Sequence, residues 1–248
     1  QGKGVLGHVR DIGVSAAKSV VGVPEALVGL ADIPTGGAVG KALENEDGSF
    51  GVRFKETQDI LSDLYTDEYK EQQRQFSETD GVLDKASVAL QNPSLITNTV
   101  VQSVGPMLAG GAIGKGAGLV AKSSPVVAGA IGEGAIMAGS QAEGIRQQTE
   151  DGLLTAGQST AAAATGVMGG LFGYAGGRLA QKLGIGDVDT MLAGGVKPQQ
   201  VADDLAQTPA KSVPRQVIEG AISEGFLEEL PQSVSEQIVQ NLALGKDW

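Results

Sequence analysis

Apolar and polar positions recur with helical spacing over almost the whole chain. Between residues 58 and 85 the apolar side chains Ile60, Leu61, Leu64, Tyr65 and Tyr69 stand mostly three and four apart among charges, which predicts an amphipathic helix. Thr66 precedes Asp67 and Glu68, so it is placed to break that helix and cap a second one. Residues 86–114 contain no charge. Asn92–Pro93 makes a helix start there, and Pro106 predicts a kink. Ser124–Pro125 is a cap followed by a first-turn proline, so 125–149 reads as one helix that begins apolar and ends in the polar IRQQTEDG. Residues 152–177 are uncharged again, closed by Arg178 and Lys182, which suit a helix C-terminus, and by LGIGD.

The two ends of the chain are more broken. The pattern predicts a helix over 9–21, a second one opened by Pro24, a turn at DIPTGG and a polar loop at ENEDGSFG. Residues 187–212 read as a connection with one short helix after Pro198, and Pro214 opens a last helix kinked at Pro231. Alternating β-branched runs with hairpin turns do not occur. The predicted fold class is therefore all-α: Gly/Ala-rich, Pro-kinked helical hairpins, elongated or bundled, assembling as an oligomer. Four segments follow: 1–57 small-residue helix and polar loop, 58–85 acidic amphipathic region, 86–186 Gly/Ala-rich hairpins, 187–248 linker and kinked C-terminal helix. The chain starts at Gln1 and stops inside a helical pattern, so it reads as a piece of a longer protein.

Small residues also repeat. GAIGKGA at 111–117 returns as GAIGEGA at 129–135, with Lys115 exchanged for Glu133. VVAGAIGEG at 126–134 and VIEGAISEG at 217–225 agree at six of nine positions. A hairpin about Ser123–Ser124–Pro125 would bring the first two copies together small face to small face. Lys115 and Glu133 are not symmetric about that turn and would pair only in an offset register. Gly166 and Gly170, and Gly169, Gly173 and Gly177, stand four apart on one helical stripe. With Gly129 and Gly132 they are candidates for close helix packing, either inside the chain or at an oligomer interface in or out of a bilayer. Lys115, Glu133, Glu143, Arg146 and Glu224 are the charges expected to be buried or interfacial among these small faces.

Composition narrows the function. The 248 residues hold 38 glycines, no cysteine and one histidine, His8, which excludes thiolate chemistry and cysteine zinc sites. Net charge is −11, and Lys and Arg never cluster, so no phosphate-gripping surface forms; DNA could pass without being bound. GGAVGKA at 36–42 imitates a phosphate loop, but Ala42 stands where a magnesium-binding Ser or Thr is needed. The acids Glu133, Glu143, Glu224, Glu228 and Glu229 sit as ordinary helix residues, and Asp187-x-Asp189 reads as a turn. No catalytic, cofactor or metal residues are assigned. No signal peptide and no window of 18 strongly apolar residues is seen, so no conventional membrane anchor is expected.

GAIGEGAIMAGSQAEGIRQQTEDGLLTAGQ, LGIGDVDTMLAGG and ISEGFLEELPQSVSEQIVQNLALGK resemble the internal virion, or ejection, proteins of short-tailed bacteriophages and related very large phage and prophage polyvalent proteins. The resemblance runs from about residue 58 to 248. It implies a protein stored in the capsid beside portal and core proteins, released ahead of the genome with other ejection proteins. There it assembles, as a homo-oligomer, a channel for DNA across the host envelope. Relatives of this kind carry a murein-cleaving transglycosylase or a polymerase elsewhere; neither is evident here, so this segment is expected to be non-enzymatic. The alternatives are a soluble scaffold of the virion core and the non-catalytic part of a murein-degrading enzyme.

Overall fold

The computed structural model describes residues 4–44, 54–79 and 82–183, with Gly194 and Leu244. Among these residues there is no strand, and the all-α expectation stands. The helices are α1 (Val5–Thr35), α2 (Ala38–Leu43), α3 (Phe54–Asp63), α4 (Asp67–Glu78), α5 (Val82–Gln91), α6 (Pro93–Ala121), α7 (Pro125–Arg146) and α8 (Ala156–Leu183). The predictions after residue 186, including Glu224 and the kink at Pro231, lie outside the described residues, as does most of the ENEDGSFG loop.

Local chemistry sets most boundaries. Thr66 caps α4 by accepting the Tyr69 N–H at 3.3 Å, and Ser124 caps α7 by accepting the Val127 N–H at 3.5 Å with Pro125 in the first turn. Thr155 and Gln158 form a reciprocal capping box on α8: the Thr155 N–H donates to Gln158 Oε1 at 2.8 Å, and the Gln158 N–H to Thr155 Oγ1 at 3.3 Å. α1 stops at Gly36 and Gly37, whose φ of 65° and 85° lie in the left-handed region open to glycine.

One expectation is corrected: α1 runs unbroken through Pro24. α6 carries Pro106 inside the helix. A proline removes one backbone bond, and neighbouring packing holds the remaining ladder. Joined across their prolines, the two apolar stretches become helices of 30 (Leu6–Thr35) and 29 (Pro93–Ala121) residues, long and apolar enough to cross a membrane. The local pattern predicts no such segment, because no window of 18 strongly apolar residues occurs in it.

The chain divides into two compact units. The first comprises residues 1–24 and 52–106, the second 25–51 and 107–248. The first has a core of Val14, Tyr65, Tyr69 and Leu95, joined by Leu61 and Val88; the tyrosine rings meet at 4.6 Å between centroids. The second centres on α7, whose core residues include Ala142 and Ile145, packed with Leu154 of the following loop and Ala162 of α8.

Candidate functional site

In the first unit polar bonds join α1 and α6 beside the apolar core. Asp11, Ser15 and Ser19 are buried at four-residue spacing on one face of α1. Ser15 Oγ donates to Asn98 Oδ1 at 2.6 Å and shares a 2.9 Å hydrogen bond with the Tyr65 hydroxyl. Ser19 Oγ accepts the Gly105 N–H at 2.6 Å, and a Cβ on Gly105 would collide with Ser19 itself. Asp11 accepts both the N–H and the hydroxyl of Thr66 at 2.8 and 2.7 Å, which places a carboxylate at the N-terminus of α4. The cations of α1 also bond to protein: Lys18 Nζ donates to Ser62 Oγ at 2.8 Å, and Arg10 Nη2 to the Tyr65 carbonyl at 3.3 Å.

Several apolar residues of the same two helices point the other way, although Val14 and Leu95 are in the core. Leu6 is 85% exposed, Val20 70%, Val9 61% and Val104 46%. In the most apolar stretches of α1 and α6 only 28% and 17% of residues are buried. In water this arrangement is costly, at roughly 25 cal/mol for each Å² of exposed apolar surface. In hydrocarbon it is the favourable one, because polar side chains join helices there and apolar ones face lipid.

The second unit is assembled by glycine. α6 and α7 run antiparallel with Gly110 against Gly132 and Gly114 against Ala128, so the two copies of the repeat meet small face to small face. A Cβ on Gly110 would sit 3.4 Å from the Glu133 nitrogen; one on Gly132 would collide with the Gly110 backbone. α7 and α8 are also antiparallel: Gly166 meets Gly134 and Ala138, Gly169 meets Met137, Gly170 meets Ala130, and Gly173 meets Glu133. Gly129 lies against Gly114, and Gly177 is buried. The stripe Gly166, Gly169, Gly170 and Gly173 is thus used within the chain, on α7, and not left over as an oligomer face.

The charges separate. The register that puts Gly110 on Gly132 leaves Lys115 and Glu133 apart: Lys115 is exposed on α6, and the half-buried Glu133 carboxylate lies across Gly173 of α8. Glu143 and Arg146 are buried together. Arg146 grips Glu143 through Nε at 2.8 Å and Nη2 at 2.6 Å, reaches Glu44 at 2.8 Å through Nη1, and stands 3.4 Å from Asp32. Burial alone would lower the Arg146 pKa, but the bonds to Glu143 and Glu44 outweigh it and raise it, so the guanidinium is fixed as a cation. Asp32 also accepts the Gly40 N–H at 2.9 Å, so the cluster ties α1, α2 and α7. Asp32 and Glu44 are not legible as partners in the sequence, since nothing in their spacing from Arg146 signals contact.

The carboxylates around Arg146 are taken up by its guanidinium, His8 is exposed, and among the described residues no group of three or more metal-binding side chains forms. The sequence matches no family model, no curated protein and no solved structure.

Proposed function

We propose that the chain is a structural segment of a bacteriophage ejection protein, released from the virion ahead of the genome and helping to form an oligomeric channel for DNA across the host envelope. The observation that carries this reading is the dressing of α1 and α6: hydrogen-bonding side chains join the helices, while Leu6, Val9, Val20 and Val104 stand exposed outside, with Val14 and Leu95 kept in the core. At 1.5 Å per residue a 29-residue helix is about 44 Å long, more than the roughly 30 Å of a bilayer core. The acidic character of the chain, −11 overall, suits a wall along which DNA slides without adhering. Glycine crossings that need no large side chains, and the absence of disulfides, suit a protein that must be threaded out of a capsid and reassembled.

The test is vesicle insertion by purified protein. Binding to lipid vesicles with release of an entrapped dye is the expected result. A chain that neither binds bilayers nor makes them leak removes the channel. A soluble scaffold of the virion core is the second reading, favoured by the satisfaction of the α8 glycine stripe inside the chain. It predicts assembly with core proteins and no bilayer binding in the same experiment.

A further inference from the structure

In the second unit an apolar trough of about 680 Å³ runs between the end of α1, α7 and α8. Its walls include Leu30, Ile33, Ile131, Val167 and Leu171, and Tyr174 stands near one end. Among the described residues no charged side chain lines it. The α7 wall spans residues 127–138, about 16 Å at 1.5 Å per residue. The volume falls within the roughly 300–1,000 Å³ usual for small-molecule sites.

The outer lip is unusual for a helix that otherwise packs by glycine. Val167, Leu171 and Tyr174 are 65%, 63% and 40% exposed. Arg178 follows, so the four positions step by 4, 3 and 4 and share one face of α8. The Arg178 guanidinium lies 6.0 Å from the centre of the Tyr174 ring, and Arg178 is exposed. An apolar ridge closed by a tyrosine and then a cation is the order met on passing from hydrocarbon to headgroup at a membrane surface.

We infer that this trough seats the acyl chain of an anionic bilayer phospholipid, with Arg178 at the phosphate. The inference rests on the membrane reading above and adds a lipid class and a place. Charge decides the class: the chain as a whole is at −11 and gains nothing from an anionic surface except where a cation is presented beside an apolar seat. Glu133, the nearest described carboxylate of α7 on this hairpin, is turned to Gly173, on the α7-facing side of α8 and not on the ridge.

The experiment uses the full chain with Trp248→Phe and Tyr174→Trp, so that position 174 reports alone. Phosphatidylcholine vesicles carrying bromine on their acyl chains are offered with and without phosphatidylglycerol. Quenching at position 174 that strengthens with phosphatidylglycerol is expected. Arg178→Gln should weaken binding to the anionic vesicles about fivefold at low salt and leave the neutral ones unchanged. Leu171→Asp should abolish the quenching while helicity is retained. Vesicle binding without quenching at 174 overturns the trough and leaves the membrane reading standing. Quenching indifferent to phosphatidylglycerol and to Arg178→Gln overturns the anionic lipid. No vesicle binding overturns both readings. A position 174 that is shielded without lipid, in a self-associated species that Leu171→Asp dissociates, assigns the trough to a second copy of the chain and overturns the inference.

Discussion

Gly132→Ala and Gly116→Ala add the same methyl group to neighbouring helices, and the structure gives the two changes opposite signs. In an open helical position the substitution stabilises by about 1 kcal/mol, because alanine surrenders less backbone freedom than glycine. Gly116 is such a position: a Cβ there has nothing within 4 Å. A Cβ on Gly132 would sit 2.6 Å from the Gly110 carbonyl carbon and 2.8 Å from the Gly114 nitrogen. Carbon contacts settle near 3.5–4.0 Å, so α6 and α7 must part by about 1 Å. All the colliding atoms are backbone and cannot rotate aside. Overpacking of this kind costs up to about 3 kcal/mol, against the gain of about 1 from helix propensity, for a net loss of about 2 kcal/mol. Amide hydrogen exchange resolves α7 from the rest of the molecule. Residues 126–138 should exchange about thirtyfold faster in Gly132→Ala than in the parent, and no faster in Gly116→Ala. Equal protection in the two variants would refute the backbone-to-backbone crossing.

Arg146→Met should destabilise the second unit by about 3–5 kcal/mol, since Glu143 and Asp32 then stay buried without a cation; the deficit should shrink in acid as Asp32, whose carboxyl is already held above the usual range by burial, protonates, and a deficit independent of pH in denaturation midpoints would assign the effect to shape. In the first unit, burial pushes the Tyr69 phenol up to about 12 from an ordinary 10.0, with the neighbouring Tyr65 and Asp11 adding to it. Between those values the folded state holds a proton that the unfolded state has lost, so stability falls as pH rises through the window, by about 3 kcal/mol at its end. Phenolate absorbance should therefore rise together with loss of helical circular dichroism above about pH 10; full ionisation near 10 with helices intact would contradict the burial.

The candidate surfaces are partly legible in the residues alone. Thr66, Ser124 and Pro125 declare their helix starts, because capping is a matter of a few adjacent residues. The glycine stripe of 166–173 declares a close approach, because spacing of four fixes a helical face. The partner of that stripe is not declared: α7 and a second subunit satisfy the same pattern. Pro24 misleads for a related reason. The lost hydrogen bond is local, whereas the contacts that hold the helix through it, Ser19 on Gly105 among them, come from residues 86 positions apart.

By itself, then, the sequence determined the helical class, the ends of α4 and α7, and the small faces on which helices could meet, all of which follow from periodicity and short-range hydrogen bonding. Tertiary structure alone decided that Lys115 is exposed while Glu133 crosses Gly173. It also decided that Asp32 and Glu44 converge on Arg146, and that α1 turns Ser15 and Ser19 inward and Val9 and Val20 outward. The physical reason is that register between helices is set by backbone packing over many residues at once. A one-turn shift would leave every local preference intact and change each of those partners.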